Sequence, residues 1–146
     1  MDNPAVTCLF QMVKEREVDV EGVEQLLRQH PNIVNCKDGR QFAPLHYACR
    51  GKGTDIVNVL LKRGADVTSV NCLGSTPLCE AAVQGNLEVV QLLINAKSDV
   101  NFANGKALQL AKQSRCGEHH AIKELLAELT EKEFQGSLPS LNPQKG

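Results

Sequence analysis

The residues whose types could do chemistry are few. His46 stands three positions before Cys49, and Cys79 falls one helix further on. A Cys–His pair is the start of a thiol nucleophile, but such a nucleophile also needs a group to orient its base, and no residue nearby supplies one. Cys116-Gly117-Glu118-His119-His120 packs three potential zinc ligands into five positions. A structural zinc site draws four ligands from spaced pairs, and no second pair accompanies this one, so a solvated turn is expected and no metal. Gly51-Lys52-Gly53-Thr54 has the composition of a phosphate loop but lacks the upstream glycine and the preceding strand. No cofactor and no catalytic residue is therefore expected.

These residues sit in a repeating frame: Pro44-Leu45 recurs as Pro77-Leu78, thirty-three residues on. Ala48, Val57, Leu60, Asp66 and Val67 recur at the same offset as Ala81, Val90, Leu93, Asp99 and Val100. Going backwards, Val23, Leu27 and Val34 match Ile56, Leu60 and Val67. A fixed period of this length marks stacked supersecondary units. Within a unit, Thr76-Pro77 predicts a capped helix start, and a short helix over 78–83 follows. After the Gly85-Asn86 turn, Val89, Val90, Leu92 and Leu93 show the apolar spacing of a second helix, and Gly64 closes its counterpart in the preceding unit.

Ala43-Pro44-Leu45-His46-Tyr47-Ala48-Cys49 and Thr76-Pro77-Leu78-Cys79-Glu80-Ala81-Ala82 resemble the ankyrin signature, Thr-Pro-Leu-His-x-Ala-Ala. Leu60-Leu61-Lys62-Arg63-Gly64-Ala65-Asp66-Val67 is similar to that family's second-helix ending. The resemblance implies an all-α ankyrin-repeat solenoid of helix-turn-helix units with β-hairpin fingers. The expected domain covers residues 1–134, with repeats at about 1–37, 38–70, 71–103 and 104–134, and residues 135–146 form a disordered tail. His46 matches the family's histidine, which implies a structural hydrogen bond. Ankyrin asparagines just after an Asp-Val pair resemble substrates of an asparaginyl hydroxylase, and Asn101 fits that position. Asn35 lacks the preceding aspartate, and Thr68 stands at the middle equivalent.

The end units depart from the pattern. Asn3-Pro4 starts a first helix with Val6, Leu9, Phe10 and Val13 inward, and Asp19 caps the next. In the fourth unit the leucine expected at 111 is Leu108, so its finger is expected to be clipped by three residues and the turn at 114–120 to bulge. Charged residues at both ends supply the solvent-tolerant faces that terminal repeats require.

Composition narrows the function. Sixteen Lys and Arg against seventeen Asp and Glu leave a net charge of −1, without the basic surplus of a nucleic-acid or anionic-membrane binder. No apolar run is long enough to span a bilayer, and Met1-Asp2-Asn3-Pro4 opens no signal peptide. Six scattered cysteines with no CxxC pair suggest free thiols in a reducing compartment, cytoplasmic or nuclear. Aromatics make up 3% of the chain, so a layered helical core of Leu, Val, Ile and Ala is expected.

A stack of this kind offers fingers and first helices as a concave face. The positions that the family leaves variable are Gly39, Arg40, Phe42, Arg50 and Gly51 in the second unit. In the third they are Cys72, Leu73, Ser75, Val83 and Gln84. Tyr47 and Glu80 share that helix face. Phe42 and Arg50 are expected to contact a partner protein, with packing of Phe42 back onto the neighbouring finger as the alternative; Arg40, Arg50 and Lys52 form either a solvated face or a basic end, which suits an acidic or acidic-hydrophobic segment. Residues 38–70 hold five basic against three acidic side chains, and residues 71–103 one against three. The expected function is a monomeric, non-enzymatic protein-interaction module with no small-molecule substrate. The alternatives are the targeting arm of a longer signalling enzyme or ubiquitin ligase, or a small ankyrin protein similar to the cyclin-dependent-kinase inhibitors. The regular second unit departs from the latter group.

Overall fold

The computed structural model describes residues 3–15, 17, 19–51, 53–99, 101–113 and 119–136, with side chains placed except at 103–105, 119 and 132–136. Among the described residues eight α-helices follow in pairs: α1 (Pro4–Lys14) and α2 (Val20–Gln29), α3 (Pro44–Arg50) and α4 (Thr54–Lys62), α5 (Pro77–Gln84) and α6 (Leu87–Asn95), α7 (Phe102–Gln113) and α8 (His119–Gly136). The first helices pack in the order α1, α3, α5, α7, and the second helices in the order α2, α4, α6, α8. This is the stacked architecture that the thirty-three-residue period implies.

Local chemistry sets the boundaries. Asn3 Oδ1 accepts from Ala5 N, Asp19 Oδ1 from Gly22 N, Thr76 Oγ1 from Cys79 N and Asn86 Oδ1 from Val89 N, each satisfying a donor that the first turn leaves unpaired. Pro44 and Pro77 hold Ala43 and Thr76 extended, so α3 and α5 cannot grow backwards. After α4, Gly64 adopts φ +87° and Ala65 N donates to Leu60 O, a left-handed closure. After α6 the same turn falls on Lys97 at φ +72°, with Ser98 N donating to Leu93 O.

The core runs through the stack as one cluster. Leu9, Val23, Leu27, Val57, Leu60, Leu78, Ala81, Val89, Val90, Leu93, Ala111, Ile122 and Leu126 are fully buried within it. Fixed spacing puts equivalent residues such as Leu27, Leu60 and Leu93 at successive interfaces, so each layer is filled by its neighbours' side chains.

Two expectations need correction. The fingers over 38–43 and 71–76 are turns, and no strand occurs among the described residues. Each is closed by two backbone hydrogen bonds, Asp38 N to Phe42 O with Gln41 N to Asp38 O, and Asn71 N to Ser75 O with Gly74 N to Asn71 O, too few to build a ladder. The fourth finger is absent rather than clipped. Residues 63–76 separate α4 from α5, but only 96–101 separate α6 from α7. No proline precedes Leu108 to stop backward growth, so the segment from Phe102 winds into α7. α8 continues through Gly136, and the rest of the tail, 137–146, lies outside the described residues.

Candidate functional site

The two fingers are built by one device. Asp38 Oδ1 accepts from Arg40 N and Phe42 N; Asn71 Oδ1, thirty-three residues on, accepts from Leu73 N and Ser75 N. Short carboxylate and amide side chains close such loops by replacing a backbone acceptor. The turn requires a left-handed residue, which is Gln41 at φ +64° in one finger and Gly74 at φ +70° in the next. Cys72 N donates to Arg40 O and Lys37 Nζ to Val70 O, which ties the two fingers into a strip. At the far edge of that strip, where a fourth finger would donate, Lys106 Nζ from α7 donates to Leu73 O at 2.7 Å and to Gly74 O at 2.9 Å.

Beside the strip lies an aromatic cluster. Phe42 stacks on Tyr47 with ring centroids 5.1 Å apart, and Phe10 of α1 meets Tyr47 edge-on at 5.9 Å. Phe42 was expected as a contact residue. It is fully buried, turned inward beneath Arg40 and Arg50, whose guanidinium carbons stand 5.4 and 5.2 Å from its ring centre. Burying an aromatic ring is worth more than leaving it wet, and two flanking cations add a favourable contact with its face. Lys14 Nζ, at the end of α1, lies 4.6 Å from the centre of Tyr47. Tyr47 itself is half-buried and donates its hydroxyl to Asp38 Oδ2. Desolvation, the hydrogen bond and the negative charge of Asp38 push the phenol up to about 12. Desolvation raises Asp38, but the Tyr47 hydroxyl, the Phe42 and Arg40 N–H groups and Lys14 outweigh it and hold the carboxyl below its ordinary value.

The third unit repeats the geometry with the chemistry inverted. Glu80 stands where Tyr47 does and accepts from Asn71 Nδ2 at 3.1 Å. Its other oxygen holds Arg50 Nε at 3.0 Å. Glu80 and Ser75, expected as contact residues, are buried, at 6% exposure each, because they join the second and third units internally. Arg50 is exposed and gives its Nε to this pair. Arg40, Leu73, Val83 and Gln84 remain at the surface, and Leu73 and Val83 are the large apolar side chains exposed there, at 53% and 38%. Lys52 lies outside the described residues.

His46 is fully buried and joins both fingers. Its Nδ1 accepts from Ala43 N at 3.0 Å, which fixes the proton on Nε2, and Nε2 donates to Ser75 O at 3.1 Å. Burial, its largest influence, depresses its basicity, so it is a neutral ring locked in one tautomer. Both nitrogens are engaged, and neither can serve a thiol. Cys49 is buried and its thiol is pushed up by desolvation, and Cys79 Sγ accepts from Thr76 Oγ1. The five cysteines among the described residues are free thiols. Cys116 and the His119 side chain lie outside the described residues, and His120 Nε2 faces Glu124 at 3.2 Å. Asn101 is partly buried in the turn before α7, with its N–H on Asp99 Oδ1. Its counterpart Asn35 pins the first unit to the second, donating to Gly64 O and accepting from Asp66 N.

Sequence reasoning passed over Lys14, Asp38, Asn71 and Lys106. The first pair of finger residues carried a signal: Asp38 and Asn71 share the period, and so do their partners Tyr47 and Glu80. Lys14 carried none, since it lies in a unit without the signature.

Stacked helix pairs, hydrogen-bonded fingers and a bridging buried histidine define a repeat scaffold. Residues 2–71 match the family described as ankyrin repeats (3 copies), and residues 73–105 match the ankyrin repeat. The chain belongs to the ankyrin-repeat family, whose repeats form non-catalytic protein-interaction modules. It is 36% identical over 127 residues to the E3 ubiquitin-protein ligase XBAT33 of Arabidopsis thaliana, covering 85% of this chain and 25% of that protein. It is 36% identical over 77 residues to human BCL-6 corepressor-like protein 1, covering 53% of this chain and 4% of that protein. To the chicken nuclear factor NF-kappa-B p105 subunit it is 33% identical over 96 residues, covering 60% and 10%. The chain thus spans a quarter or less of the length of these relatives.

Proposed function

We propose that this chain is a non-enzymatic adaptor or regulatory module that binds a segment of another protein on the face formed by its fingers and first helices. The observation that carries this reading is the exposure of Leu73 and Val83 beside side chains that the finger hydrogen bonds and the aromatic cluster hold in fixed positions. Rigid apolar and cationic contacts of this kind lower the ordering cost of association. The neutral His46 and buried Cys49 support a scaffold rather than a catalyst. The near-zero net charge supports a protein partner over nucleic acid or a membrane surface, and no helix among the described residues is long and apolar enough to cross a membrane. The free thiols support a cytoplasmic or nuclear location. Asn101, just past an Asp-Val pair, is a candidate for asparaginyl hydroxylation.

A photo-crosslinker placed at Leu73, and in a second variant at the exposed Gln91 of α6, tests the reading in cells. Protein adducts at Leu73 and none at Gln91 are expected. Adducts confined to Gln91, or none at either position, would overturn it.

A second reading is that these repeats are the targeting arm of a longer protein. The similarity to XBAT33 over 85% of this chain, within a quarter of that ligase, favours it. Immunoblotting with an antibody to the repeats would show a species far larger than 15.9 kDa.

A further inference from the structure

We propose that the partner segment is acidic, with carboxylates seated at Lys14, Arg40 and Arg50 and an adjoining apolar side chain at Leu73 and Val83. This rests on the interaction-module reading above and names the chemistry of its ligand.

Three cations drawn from three separate elements converge on one aromatic cluster. Lys14 ends α1, Arg40 sits in the first finger and Arg50 ends α3, and each contacts the face of Tyr47 or Phe42. The carboxylates of this region are already taken. Asp38 accepts from the Tyr47 hydroxyl and two finger N–H groups, and Glu80 from Asn71 and Arg50. Among the described residues Lys14 and Arg40 enter no ion pair, and Arg50 gives Glu80 its Nε while keeping its terminal amino groups for another acceptor. The face therefore carries more cationic donors than it can satisfy internally.

These cations are also held in place. Long basic side chains normally lose rotamer freedom on binding, but ring contacts and the Glu80 pair have already restricted these. An arriving carboxylate meets pre-positioned donors, which favours encounter and register. The apolar half of the ligand follows from Leu73, which stands 53% exposed in the last finger. The rung from Cys72 N to Arg40 O makes Leu73 the residue immediately beyond the basic end, so acid and apolar subsites adjoin.

Panning a random peptide library on the purified chain tests this, followed by titration of the enriched synthetic peptide. Expected is a consensus of Asp or Glu beside Leu, Ile or Phe. The Glu-to-Gln, Asp-to-Asn analogue and the Lys14→Gln/Arg40→Gln variant should each weaken binding about tenfold, as two modest charge contacts would. The variant gives up two cation–ring contacts, so its thermal midpoint falls modestly while the chain stays folded at the titration temperature. Enriched peptides without acidic residues, lost with Leu73→Glu yet indifferent to Lys14→Gln/Arg40→Gln, would overturn the acidic ligand and leave the module reading standing. No enrichment at all would overturn both. A single-stranded oligonucleotide that binds in the peptide's place and is lost with the same double variant would also overturn the proposal.

Discussion

Arg50 reaches from the end of α3 to Glu80 in the next unit at 3.0 Å, joining a 42% exposed guanidinium to a carboxylate that is 8% exposed. Arg50→Ala strips a buried oxygen of its charged donor and leaves only Asn71. We expect a loss of about 1 kcal/mol, the low end for an unsatisfied buried group because solvent reaches the arginine. Arg50→Glu sets two carboxylates together and costs more. Urea unfolding midpoints check both, and an unchanged midpoint for Arg50→Glu would mean the pair does not form.

Phe42→Ala empties a fully buried site between Tyr47, His46, Arg40 and Arg50. Truncating a buried Phe costs about 3–5 kcal/mol. Leu60→Ala and Leu93→Ala, each fully buried, cost about 2–5 kcal/mol on the same grounds. Chemical denaturation separates these from surface substitutions. Little change with Phe42→Ala would place the ring at the surface.

Much of this was legible in advance, and the misses have physical causes. The period fixed the helix pairs, the residue types of Asp19 and Thr76 marked two caps, and the structural role of His46 followed from the resemblance to the ankyrin signature. The placement of Phe42 was open because a finger position does not decide between exposure and burial. Only the two arginines above it and Tyr47 beside it show that the ring turns inward. The missing fourth finger was half visible. The deletion before Leu108 could be counted, but not that a segment without proline would wind into α7.

The single tyrosine makes the Asp38–Tyr47 bond directly observable. With the phenol at about 12, its stabilisation is complete below the ordinary value of 10.0 and lost as pH rises through about 12. The depressed Asp38 carboxyl acts at the other end, stabilising above 3.8 and failing as pH falls below it. Phenolate absorbance during alkaline titration reads Tyr47, and Asp38→Asn should bring its midpoint back towards 10.0. A midpoint that Asp38→Asn leaves untouched would contradict the bond.

His46 contributes in the same sense as an acid-sensitive latch. Its basicity is depressed on folding, so the unfolded chain binds the proton more readily. Stability is present above 6.5 and declines as pH falls below it. Proton NMR of the ring should show a neutral imidazole persisting below pH 6.5, and His46→Gln should flatten that part of the stability profile.

Gln41 and Gly74 occupy equivalent left-handed positions, as do Lys97 and Gly64. Side chains at positive φ are strained, and glycine is not. Gln41→Gly and Lys97→Gly should each stabilise by about 0.5–1 kcal/mol, the strain relief less the entropy that glycine loses. Thermal midpoints check this, and a fall in both would refute the conformations.

Lys106 plugs the row of fingers with a flexible ammonium instead of a backbone amide. The row therefore has a fixed width of two. Units joined beyond α8 have no finger in the fourth repeat against which to register. On the proposed reading, a partner laid against the row meets a footprint of constant size, and discrimination among ligands would come from side chains at its two margins rather than from the number of rungs.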